Sequence, residues 1–204
     1  MIIDGATNWG QDGPRPSAEG FDIEMRSKSI YEWVRQVRGG VLAGAFTVER
    51  HISSAIIYFV LGDRITRPEV QEAFDEGLLG PLTFERRISV VMLIAPHILP
   101  PDEVASLKAG LNEFRTLRNA MAHKPFWLHP KLNDKGEVVD LLPMIQRGKA
   151  PLPLTTAFIE QVNTLIGGLI GKTAALAAAV SLTSLTSGLS EDGHADETGE
   201  GPAD

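Results

Sequence analysis

The chain has 204 residues, 43% of them hydrophobic and 22% charged, the make-up of a soluble globular protein with one sizeable core. It contains no cysteine, which excludes disulfides, thiolate metal sites and cysteine nucleophiles, and fits a reducing, cytoplasmic setting. The formal charge of -7 argues against a nucleic-acid partner only until its distribution is read. Six acidic residues lie between Ser187 and Asp204 without a single Lys or Arg, and the rest of the chain is almost neutral.

Residues 1–26 carry Gly5, Gly10, Gly13, Pro14, Pro16 and Gly20 with little periodicity, so a flexible arm is expected. No basic region followed by an apolar run marks a secretory leader there. Order is expected from Ser27 or Ser29, either of which can cap a helix. From Ser29 to Leu61 the residues Ile30, Val34, Val37, Val41, Phe46, Ile52, Ile56, Phe59 and Val60 recur at helical spacing. Gly39, Gly40 and Gly44 interrupt this run, each costing about 1 kcal/mol in a helix interior. A kink, a break into two helices and the close approach of another helix all fit them.

Gly62 to Pro68 reads as a turn, with Pro68 opening a short helix that Gly77 or Gly80 ends. Thr83 caps the next helix, whose second half, Ile88 to Ala95, is apolar enough to be buried on most sides. After the loop Ile98–Pro101, Asp102 begins a helix with Val104, Leu107, Leu111, Phe114, Leu117 and Met121 on one face. Arg115, Arg118 and Asn119 fall on its polar side, and Pro125 closes it after His123. Phe126–His129 and Val138–Leu142 flank the turn-forming Asn133–Gly136, which predicts a β-hairpin. Residues 143–153 read as a connector, and Thr155 or Thr156 caps a long helix to about Leu185. Its stripe of Leu165, Leu169, Leu176 and Val180 favours a packed helix over a membrane span. Residues 187–204 are expected to be disordered, and as a nucleic-acid mimic they could restrain a basic cleft. The expected fold is therefore all-α, a helical domain over 27–186 with one small hairpin.

The chemistry concentrates in Arg118-Asn119-Ala120-Met121-Ala122-His123. A guanidinium presents planar donors to a phosphate and offsets charge on its oxygens. An imidazole can take a ribose 2′-OH proton or protonate a leaving 5′-oxygen. Five residues of helix advance about 7.5 Å and turn about 140°, so one chain makes at best half a compact site. Two copies about a two-fold axis would bring both pairs into one cleft, with Asn119 orienting the imidazole or the phosphate. Internal 2′-OH attack needs no metal, and His97, His123 and His129 match no metal-ligand spacing.

This segment, with Leu82-Thr83-Phe84-Glu85-Arg86-Arg87-Ile88 leading an apolar helix, resembles the HEPN superfamily over a helix pattern from Ser29 to Leu185. Its members are helical bundles with an Arg-(Asn/Asp/His)-x-x-x-His motif on a late helix. The resemblance implies a HEPN-like bundle and a metal-independent, cofactor-free endoribonuclease that is homodimeric. It further implies a toxin–antitoxin, phage-defence or RNA-processing role, with Arg118 and His123 catalytic, Asn119 supporting, and a cognate antitoxin as a possible partner. One subclass carries a tyrosine two residues after the motif histidine; that position is Pro125 here, so tyrosine modification is not expected. Arg115, Lys124, Arg86 and Arg87 are candidates for a rim that holds RNA phosphates. Trp127 and Phe126 are candidates for stacking a base, and Glu49 for facing the dimer cleft. The competing reading makes Arg118 a solvated side chain and His123 a helix cap, in a non-catalytic module that binds a protein or nucleotide.

Overall fold

The computed structural model describes residues 22–62, 67–147 and 150–191, with backbone alone over 184–191. The arm before Asp22 and the tail after Glu191 lie outside these residues, and with them most of the expected arm and its acidic counterpart. The described residues are 75% helical, with one small three-stranded antiparallel sheet among them. The chain divides into two compact units, Met1–Arg50 with Ala105–Lys172, and His51–Val104 with Thr173–Asp204.

In the first unit, helix α1 (Ile23–Leu61) starts four residues before Ser27. The Asp22 carboxylate accepts the N–H groups of Glu24 at 2.9 Å and Met25 at 3.0 Å. Aspartate caps as well as serine does, and that settles the start. Ile30, Val34, Val37, Val41, Ala45 and Val48 form the buried stripe. Phe46, expected on it, is 70% exposed, because the stripe passes through the neighbouring Ala45, about 100° round the helix.

The glycines do not break α1 into two helices. A Cβ built on Gly44 would lie 2.7 Å from Ile166 Cγ2, so close approach is the reading that holds there. Gly39 has nothing within 4 Å of such an atom. The two positions should therefore respond with opposite sign. Gly39→Ala should stabilise by about 0.5–1 kcal/mol through helix propensity. Gly44→Ala gains the same propensity but pushes on a β-branched side chain with one preferred rotamer, an overpacking cost of about 1–3 kcal/mol. Urea midpoints moving apart, Gly39→Ala up and Gly44→Ala down, are the expected result.

Helix α4 (Pro101–His123) buries Leu107, Leu111, Phe114, Leu117 and Met121, the stripe its period predicts. Helix α5 (Thr156–Glu191) is capped by Thr155, whose hydroxyl accepts the Phe158 N–H at 3.2 Å. It approaches α4 closely at Gly110, where a Cβ would sit 3.0 Å from Leu169 Cδ2. Among the described residues one helix, α5, is long and apolar enough to cross a membrane, and 28% of its Thr156–Thr183 stretch is buried.

The expected hairpin is a three-stranded sheet in the order β1 (Phe126–Leu132), β2 (Val138–Arg147), β3 (Ala150–Pro153). Between the first two strands, Asn133 Oδ1 accepts the N–H groups of Lys135 and Glu137, and Gly136 takes φ +78°. The segment read as a connector is thus strand, despite Pro143, Pro151 and Pro153. The Leu154 N–H donates to the Pro143 carbonyl at 2.8 Å, so by alternation the N–H groups of Leu152 and Ala150 also face β2. Pro151 and Pro153 direct their missing donors to the open edge, the position a sheet tolerates. On β2, Leu141, Pro143 and Ile145 face the core.

Arg26 joins α1 to this sheet through Nε and Nη2, 3.1 and 2.9 Å from Asp140 Oδ1, while Lys131 Nζ lies 3.4 Å from Oδ2. Burial pushes the Asp140 carboxyl up, but the hydrogen bonds from Arg26 and the Leu141 N–H outweigh it and hold the group below its ordinary value. A depressed folded-state pKa gives stability that is complete above the unfolded value of about 3.9 and is lost as pH falls through the folded one. Asp140→Asn should therefore cost about 1.5–3 kcal/mol at pH 7. Urea titrations of the two proteins should converge once the pH has fallen through the folded-state value of Asp140, whereas a gap that persists in full acid would show that the charge is not its source.

The second unit contains the end of α1, where Ile52, Ala55, Ile56 and Ile57 are buried. Gly62, at φ +54°, follows it. Helix α2 (Pro68–Phe74) runs into one π-helical turn, Asp75–Leu79, closed by the Gly80 N–H on the Asp75 carbonyl. Helix α3 (Phe84–Ile94) is capped by Thr83, which accepts the Arg86 N–H at 3.3 Å. Burial on most sides was expected for its second half; instead Phe84, Ile88, Val91 and Ile94 form a single buried stripe and Leu93 is 73% exposed.

Candidate functional site

The last carbonyls of a helix have no partner within it. At the end of α4 that need is met from α1, where Arg38 Nη2 donates to the Lys124 carbonyl. The Arg38 guanidinium also lies over the Phe126 ring, 5.4 Å from its centroid, and Tyr31 packs on the same ring at 4.9 Å, tilted by 59°. Phe126 pairs across the sheet with Ile145 and so shares its core-side face, while Trp127 points to the opposite face. The two aromatics cannot stack one base together.

One and a half turns earlier, Arg118 is held at both ends of its fork. Nη2 lies 3.7 Å from Glu49 Oε1, and Nη1 donates to the side-chain oxygen of Asn119 at 3.2 Å. Its Nε is buried without a partner. Arg38 and Glu49 are eleven residues apart on α1, about 20° from eclipsed, so one stripe of that helix serves both ends of the motif. The Asn119 side-chain oxygen is turned to Arg118 in this geometry and is not available to the imidazole.

His123 is exposed and has no hydrogen-bond partner among the described residues. The capping task that a terminal histidine would perform falls to Arg38. Lys124 is exposed and Arg115 half-buried, both in the same unit as the motif. Arg86 and Arg87, expected on the RNA rim, belong to the other unit. Arg86 is exposed. Arg87 is tied to the protein itself: Nη1 to Ser53 Oγ at 2.7 Å, Nη2 to the Leu79 carbonyl at 3.0 Å, and Nε to the Leu82 carbonyl at 3.3 Å. A guanidinium with three such bonds braces this unit.

Reading the sequence missed Arg38 and Tyr31. The available signal was their place at the border of the buried stripe of Val34, Val37 and Val41, where a cation or aromatic ring reaches a neighbouring element rather than bulk water. Chemically, the site offers an oriented guanidinium and an unengaged imidazole at one helix end. No family model matches the chain, and neither the curated proteins nor the solved structures contain a match to it.

Proposed function

We propose that the chain is a HEPN-like, metal-independent endoribonuclease of the cytoplasm that works as a homodimer. Arg118 holds the scissile phosphate and His123 moves the proton, the 2′-OH attacking to leave a 2′,3′-cyclic phosphate and a free 5′-OH. A toxin or phage-defence effector, restrained by a cognate antitoxin, is the corresponding role. The observation that carries the reading is the division of labour at the end of α4: Arg38 caps the helix, and His123 is left exposed and unpartnered. Incubation with total RNA in EDTA tests it, beside Arg118→Ala and His123→Ala variants. Cleavage lost in both variants, with cyclic phosphate ends from the parent, is expected; RNA left intact by all three proteins would sink the enzyme.

Glu49 favours the second reading, a non-catalytic module, since its carboxylate offsets the Arg118 charge from 3.7 Å. The two roles of Glu49 separate kinetically. As the anchor of a catalytic guanidinium, Glu49→Gln should lower kcat about 10-fold, by loosening orientation in the transition state. Removing a negative charge beside the phosphate should meanwhile lower KM. A higher kcat in this variant would mean that Glu49 masks Arg118 instead of orienting it.

A further inference from the structure

Beyond the motif, the N-terminal half of α1 carries Lys28, Tyr31, Arg35 and Arg38 at i, i+3, i+7 and i+10. At about 100° per residue these four occupy roughly 80° of arc and span about 15 Å. Lys28 is exposed, with no ion pair or hydrogen bond of its side chain among the described residues. The Arg35 side chain is 82% exposed, its only ion pair among the described residues a solvated one with Glu32 at 3.4 Å, a kind that yields readily to a stronger anion. Tyr31 is 53% exposed, although its ring is fixed against Phe126, so one aromatic surface is ordered in advance and left to solvent. Arg38 links this stripe to the motif. It reaches the carbonyl next to His123, and three residues of chain place Phe126 within about 11 Å of that histidine.

A cationic line with one immobilised aromatic ring is the chemistry of single-strand recognition, in which cations track the phosphates and the ring stacks an unpaired base. A duplex keeps its bases stacked on each other and has none to offer Tyr31. We infer that this face of α1 is the entry track for unpaired RNA. Lys28 and Arg35 bind its phosphates, Arg38 fixes the end of the track beside the motif, and Tyr31 stacks the base of a nucleotide flanking the one held at Arg118 and His123. The inference takes from the proposed function that RNA is the ligand and that Arg118 and His123 hold one of its nucleotides.

The test measures binding in the full-length His123→Ala protein, which cannot consume the probe. The probe is a fluorescent single-stranded oligoribonucleotide, compared with the same sequence closed into a hairpin duplex, across a salt series. The single strand should bind more tightly than the duplex. Tyr31→Leu keeps the apolar contact with Phe126 but removes the stacking surface. It should weaken single-strand binding about 5- to 150-fold and leave the salt slope unchanged. Lys28→Ala with Arg35→Ala should flatten the slope by about 1.4, two contacts at about 0.7 each. All three substitutions lie on an exposed surface, and matching thermal melts would certify the fold of both variants. Parent-like affinity and slope in both variants, or no binding of the single strand at all, would overturn the track. Cleavage by the unsubstituted protein is scored separately. Binding that depends on the stripe in a protein that cuts nothing would support the track and defeat the nuclease.

Discussion

Mixed in equal amounts, Arg118→Ala and His123→Ala proteins should regain cleavage that neither has alone. Each single variant should lose about 10²- to 10⁴-fold in rate, the range for removing a general acid–base or a charge-stabilising donor. The five-residue step from Arg118 to His123 places them about 140° apart on α4, too far round the helix to close on one phosphate. On the proposed reading a second copy supplies the missing partner. In a mixed dimer one chain offers Arg118 and the other His123. Random exchange of subunits makes roughly half the dimers of this kind, which bounds the recovery. The measurement is the initial rate against the mixing ratio, with subunit exchange verified by mass spectrometry. A mixture as inactive as its components would assign the two residues to a site within one chain, or to no site.

The helices and their buried stripes were legible because a 3.6-residue period is written by many residues at once. On α4 the large buried side chains from Leu107 to Met121 lie where the period places them. Single-residue decisions were less legible. Asp22 rather than Ser27 starts α1, and Ala45 rather than Phe46 continues its stripe, because a cap or a core position depends on direction as well as residue type. The third strand was hidden by its prolines. These argue against a strand until the pairing shows that both missing donors face the open edge. At the candidate site the motif itself is contiguous and readable. Arg38 and Glu49 are more than sixty residues away in sequence, and nothing local to the motif announces them.

Phe114→Ala should be the most damaging single change to stability, costing about 3–5 kcal/mol. Phe114 is fully buried at the middle of the α4 stripe, between Leu111 and Leu117, and lies one turn before Arg118. Truncation removes the transfer free energy of the ring and leaves a cavity that neighbouring helices close only in part. Alanine's better helix propensity returns a few tenths of a kcal/mol, an order of magnitude too little to compensate. Against a typical total of about 5–15 kcal/mol, the loss is large enough to shift the urea midpoint visibly without changing the slope of the transition. Arg118→Ala should do the reverse. Its side chain is 30% exposed and its ion pair with Glu49 is worth about 0–1 kcal/mol, so the midpoint should barely move while cleavage disappears. The two variants thus separate the scaffold from the chemistry along one helix. A Phe114→Ala protein as stable as the parent would mean that the α4 stripe is not the core, and an Arg118→Ala protein that unfolds would make Arg118 part of it.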